Sequence, residues 1–249
     1  MRAMNSTAAA LADMDIVNLA RRTALLRCGA LLAVSGASLP VYAFSLSDLT
    51  NADASSGIKA ALTQGAQVAI AQLGQQGGFF NNPQLRIPLP GYLGEAAKLL
   101  RRFGQGRYVD EVEQGMNRAA EAAVPMGKDL LMGAVQTMSV DDAKRILTGG
   151  DHSVTDFFVG KTREPLGQRF LPVVTEATSK VGVVQQYNQL VSKASAFGVR
   201  SDSLDVNQYV TGKTLDGLYT VIGEQERKIR QDPVGSASAV VRKVFGAIK

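Results

Sequence analysis

The 249-residue chain has a single histidine, His152, in the run GGDHSVTDFF, with Asp151 beside it and Asp156 four positions on. Imidazole exchanges a proton near neutral pH, and a carboxylate can hold its tautomer, so this trio has the composition of a general base with its orienting acid. Spacing argues against that use. Adjacent residues of a helix do not face each other, and a pair of glycines directly before the trio marks the place where one helix stops and another starts. We therefore read Asp151, His152 and Ser153 as a solvated helix–helix corner, with ligand contact and catalysis as alternatives. A site here would also draw on Arg86 and Tyr92 if the fold brought them into a common cleft.

Other chemistries lack their parts. No G-x-S-x-G elbow follows the leader segment described below, and one histidine could serve at most one Ser-His-Asp triad. The sole cysteine, Cys28, lies in a segment expected to be removed, which leaves no thiolate for a nucleophile, a disulfide or a zinc site. Asp205-x-Asn207 opens like a calcium loop and Asp216 falls at its twelfth position. Val210 occupies the glycine site, however, and Tyr209 replaces a ligand. The carboxylate pairs Asp141-Asp142 and Glu111/Glu113 read as solvated helix faces, and GQQGG does not join a strand to a helix as a phosphate loop does. The residues thus predict no catalytic, cofactor-binding or metal-ligating site.

The elements that would position any site are helical. Without tryptophan and with 6% aromatics, the core must be built from Ala, Val, Leu and Ile, which suits closely packed helices. GIKAALTQGAQVAIAQLG repeats its apolar residues at three and four, with Asp53 or Ser55 as the expected cap. QLRIPLPGYL instead alternates Leu85, Ile87 and Leu89 between prolines and predicts one short extended or β segment near 84–90. YLGEAAKLLRRFG and RYVDEVEQGMNRAAEAAVP form an expected helical hairpin across Gly104-Gln105-Gly106. Ser139 with Asp142 predicts a capping box for VDDAKRILT. Ser153 with Asp156 repeats that signal for the helix beyond His152, which Pro165 should divide or kink. A late helix runs through QYVTGKTLDGLYTVIGEQERKIRQ, and Asp232-Pro233 starts a closing one. The expected fold is all-α, a compact bundle of about eight to ten helices.

The first 43 residues read as a cleavable signal peptide. Arg21, Arg22 and Arg27 precede an apolar run of about a dozen residues, short of the roughly 20 that span a bilayer. Val41-Tyr42-Ala43 satisfies the small-residue rule for cleavage before Phe44. Arg21-Arg22 resembles a twin-arginine signal, but Ala20 and Ala24 depart from its pattern, so the general secretory route is favoured. One helical domain is expected over 44–249, located in the periplasm. Taking the four arginines and two aspartates of residues 1–43 from 27 basic and 22 acidic groups leaves 23 and 20. Such a balance does not describe a nucleic-acid binder.

The stretches SLSDLTNADASSGIKAALTQGA, NNPQLRIPLPGYLGEAAKLLR, GQGRYVDEVEQGMNRAAEAAVP, MSVDDAKRILTGGDHSVTDFF and IRQDPVGSASAVVRKVFG resemble, in order, an exported bacterial family known as domain of unknown function 4197. That resemblance implies an exported, mainly helical protein and carries no assigned activity or catalytic residues. The leading functional expectation is a non-enzymatic envelope module that binds a protein partner or an apolar ligand through grooves between helices. Two alternatives stand beside it. One is a hydrolase or lyase using carboxylates with His152. The other is weak membrane-surface attachment through the basic, apolar-striped AVVRKVFGAIK at the C-terminus, in which Val240, Val241, Val244, Phe245 and Ile248 form the stripe.

Overall fold

The computed structural model describes residues 51–196 and 205–232. The signal segment, the closing helix expected after Asp232-Pro233 and the C-terminal AVVRKVFGAIK lie outside these residues. Every regular element among the described residues is helical: α1 (Asn51–Leu73), α2 (Gly91–Arg102), α3 (Gly106–Ala123), a 3-10 turn (Val124–Gly127), α4 (Lys128–Gln136), α5 (Val140–Thr148), α6 (Ser153–Lys180), α7 (Val183–Ala196) and α8 (Val206–Gln231). The helices share one buried apolar cluster rich in Ala, Val, Leu and Ile. Helix α1 already includes Asp53 and Ser55, so neither residue caps it.

The longest pair, α6 and α8, forms the centre of the bundle. Helix α6 buries Val154, Phe158, Leu166, Phe170 and Val174, which recur every four residues or multiples of it. Helix α8 answers with Val210, Leu215, Leu218, Val221 and Ile222. Each such side chain contributes about 1.5–3 kcal/mol on leaving water, so this seam is a main source of stability. The helices run antiparallel: Thr178 hydrogen-bonds Asn207 at one end and Val154 contacts Glu226 at the other. Pro165 does not divide α6, which is continuous through both Pro165 and Pro172. The carbonyls left without donors, on Lys161 and Gln168, belong to exposed residues, and the buried face on either side holds the helix together.

The predicted hairpin of α2 and α3 is present. Leu93, Ala97 and Leu100 are buried on one arm, and Val109, Val112, Met116 and Ala119 on the other. Gly104 turns between them at φ 76°, in the left-handed region. The segment near 84–90 corrects the β alternative. Leu85, Ile87 and Leu89 are buried while Arg86 and Pro88 are exposed, so the alternation is real, but there is no strand among the described residues. Its partner is a side chain. Asn117 accepts from the Ile87 N–H at 2.9 Å and donates to the Ile87 carbonyl at 2.9 Å, as a neighbouring strand would. Pro88 and Pro90 have no N–H with which to extend a ladder.

Candidate functional site

The histidine corner joins α5 to α6. The Ser139–Asp142 capping box starts α5 as predicted: Asp142 N–H donates to Ser139 Oγ at 3.0 Å, and Ser139 N–H donates to the Asp142 carboxylate at 3.1 Å. The Ser139 hydroxyl, which donates to the Asp142 carboxylate at 2.8 Å, and then the Ser139 N–H hold that carboxyl below its ordinary value. Asp142 is therefore buried in a cap and bonded to Arg145, which corrects its reading as a solvated residue; Asp141 is exposed. Helix α5 ends at Gly149 in extended conformation. A Cβ there would lie 2.6 Å from both the Arg145 carbonyl and Ser153 Cβ, so the corner closes only over glycine.

The start of α6 differs from expectation. His152 occupies the N-cap position and its side chain caps nothing. Asp156 is exposed, and Ser153 donates backward to the Ile146 carbonyl at 2.9 Å, so no local capping box forms. The cap comes from across the bundle. Glu226 of α8 accepts the N–H of Val154 at 3.0 Å and of Thr155 at 3.1 Å, together with the Thr155 hydroxyl at 3.0 Å. A carboxylate at a helix N-terminus satisfies orphan donors and complements the helix dipole. Arg230, one turn on, pairs with Glu226 at 3.0 Å and reaches Ser153 Oγ at 2.6 Å and the Ile146 carbonyl at 3.1 Å. The Glu226 side chain is 1% exposed and that of Arg230 13%, so this is an ion pair within the core that ties α5, α6 and α8 together.

Two clefts flank this start of α6. One, of about 390 Å³, lies toward α5 and includes Asp142, Arg145, Asp156, Phe157 and Lys161. The other, of about 450 Å³, lies toward α8 and includes His152, Arg163, Asp216, Tyr219 and Arg227. His152 and Asp156 thus line different clefts, and among the described residues no carboxylate hydrogen-bonds the imidazole. Tyr219 donates to or accepts from Thr162 Oγ1 at 2.9 Å, and burial pushes its phenol above the ordinary value. Arg86 does not join the histidine cleft: it bonds the Phe80 carbonyl at 2.7 Å and lies over the Phe80 ring. The Tyr92 side chain lies outside the described residues.

The remaining candidates serve the fold. Asp205 caps α8 through the N–H groups of Asn207 and Gln208, Asn207 accepts from Thr178, and Asp216 pairs with Arg163 at 2.8 Å. A calcium loop needs its ligands on a chain that curls round the ion, whereas Asn207 and Asp216 stand on a straight helix. Glu111 pairs with Arg107 and Glu113 with Arg101. No group of three or more His, Cys, Asp or Glu able to hold a metal occurs among the described residues.

Residues missed from sequence include Glu226, Arg230, Asn117 and Glu121. Glu121, 5% exposed, accepts the N–H groups of Phe79 and Phe80, anchoring the turn after α1. Their signal was present: Glu226 falls four residues after Ile222 on the apolar face, and Asn117 and Glu121 sit within the stripe of Met116 and Ala120. A polar residue in an apolar stripe must find a partner.

Concave space is unevenly distributed. The cavity between α1, α6 and α8 has about 10 Å³, room for no more than a water. A groove of about 530 Å³ open to solvent includes Met126, Leu130, Pro165, Arg169, Pro172 and Val173 in its lining. Met126 is 48% exposed. No described helix is long and apolar enough to cross a membrane.

The family model for a protein of unknown function, DUF4197, matches residues 48–246, and the chain belongs to that family. No curated protein and no solved structure shows a significant match.

Proposed function

We propose that this chain is an exported envelope protein that acts by binding a protein partner on its outer surface, without catalysis of its own. The observation that carries this reading is the contrast between interior and surface. The cavity of about 10 Å³ between α1, α6 and α8 is too small for an apolar ligand, while the open groove of about 530 Å³ presents apolar side chains to solvent. Drug-sized ligands take pockets of roughly 300–1,000 Å³ that enclose them; an open trough with Met126, Leu130 and Val173 along it suits an apolar side chain on another protein's surface. Of the two original ligand classes, the partner is therefore preferred to the apolar small molecule.

The corner supports the non-enzymatic half of the reading. Its buried acid and base, Glu226 and Arg230, are committed to helix ends, and His152 has no orienting carboxylate among the described residues. Signal cleavage before Phe44, periplasmic location and a single domain of about eight to ten helices over 44–249 belong to the same proposal. Attachment of the protein to a membrane surface through residues 236–249 is a second reading, resting on the basic apolar-striped sequence there. Cell fractionation tests export: the mature mass should begin at Phe44 and appear in the periplasmic fraction, and an uncleaved cytoplasmic chain would refute it. Co-sedimentation with liposomes, with and without residues 236–249, decides the membrane reading.

A further inference from the structure

We propose that the cleft between α6 and α8 binds a compact oxyanion, a phosphoryl or carboxylate group of a small molecule, between His152 and Arg227. The antiparallel register carries the argument. Arg163 of α6 stands opposite Asp216 of α8 at 2.8 Å, and a Cβ on Gly223 would lie 3.2 Å from Thr155 Oγ1. One turn from Thr155 toward the start of α6 is His152; one turn from Gly223 toward the end of α8 is Arg227. The two residues line the same cleft at the same level and both are exposed. Neither side chain has a hydrogen bond or ion pair among the described residues.

Charge in the cleft is unbalanced in the same sense. At its far end Asp216 serves two cations, Arg163 at 2.8 Å and Lys213 at 3.7 Å. At the near end the closest buried carboxylate, Glu226, is neutralised by Arg230 and bonded to the start of α6. Arg227 and a protonated His152 are thus left to an outside anion, which can take charge-assisted hydrogen bonds from both. The charged groups around His152 are Asp151, Asp156 and Arg163 on its own segment, Glu226, Arg227 and Arg230 on α8, and Asp142 and Arg145 on α5. Of these carboxylates, Asp142 and Glu226 already have cations, Asp156 lines the opposite cleft, and Asp151 is exposed and not among the residues lining this one.

Calorimetric titration of the full chain with sulfate tests the proposal, because sulfate keeps its charge over the span from about pH 5 to about pH 8 in which histidine changes its own. At fixed ionic strength, one saturable site should bind several-fold more tightly at the lower pH. His152→Gln should abolish that pH dependence, and Arg227→Gln should weaken binding about tenfold at both pH values, the scale of one charge-assisted bond lost. Arg118→Gln, an exposed arginine on α3, should change nothing. Phosphate and succinate titrated in parallel distinguish phosphoryl from carboxylate preference. Absence of a saturable site for every probe, or equal weakening by Arg118→Gln and Arg227→Gln, would overturn the proposal. Both altered cleft residues are exposed, so unchanged circular dichroism is expected and confirms that the variants compared are folded.

Discussion

Glu226→Ala should be among the most damaging single substitutions in the protein. The change removes the acceptor for two N–H groups and one hydroxyl at the start of α6 and leaves Arg230, 13% exposed, without its carboxylate. Breaking one partner of a buried ion pair costs about 3–5 kcal/mol. Arg230 retains the Ile146 carbonyl and Ser153 hydroxyl, which places its share toward the lower end. Losing a helix cap adds about 1 kcal/mol, so a total near 4 kcal/mol is expected. Against a domain stability of about 5–15 kcal/mol, this is a large fraction. Urea unfolding followed by circular dichroism should show a midpoint lower by about 2 M, taking a slope of about 2 kcal/mol/M. Removing Arg230 as well takes away the cation that Glu226 neutralises, so the double variant should lose less than the sum of the single changes. A Glu226→Ala protein destabilised by less than about 1 kcal/mol would refute the assignment of Glu226 as a buried helix cap.

Further outcomes follow from other contacts. Asn117→Ala leaves the buried Ile87 N–H and carbonyl without partners and should cost about 2–4 kcal/mol by urea unfolding, with early hydrogen exchange at Ile87. Gly217→Ala would place a methyl 2.5 Å from the Phe79 ring and should cost about 1–3 kcal/mol, partly recovered by Phe79→Leu. Asp142 has its folded-state pKa lowered from an ordinary 3.8, so its cap stabilises the fold above the unfolded value and is lost as pH falls through the folded one. The melting temperatures of native protein and Asp142→Asn should therefore differ at neutral pH and converge in acid below 3.8.

Much of the bundle was legible because its signals are local. The α2–α3 hairpin and the Ser139–Asp142 box depend on residues within a turn or two of each other, and periodicity or capping chemistry reports them directly. The corner was half legible. Gly149 and Gly150 marked its place, but the group that starts α6 is more than seventy positions away on α8, and a local Ser153–Asp156 pairing was the nearer explanation. The same physics explains the 84–90 segment: alternation showed which residues point inward, while the choice between a strand and an asparagine as partner depended on Asn117, on another element. Pro165 does not divide α6 because a helix with a deeply buried face tolerates a missing bond on its wet side. Function is less legible still, since each cleft exists only where separate elements meet: α5 with α6, α6 with α8, and α6 with the residues around Met126 and Leu130.

Surface binding at the apolar groove is tested most directly by photo-crosslinking in the cell from position 126. With a benzophenone side chain replacing Met126, a discrete adduct to one protein should form, and Gln168→Asp, an exposed change in the same groove, should weaken it while the melting temperature holds. The same group at Lys144, exposed on α5, should give no such adduct. An adduct from position 144 equal to that from 126, or no adduct from 126 at all, would contradict binding at this groove.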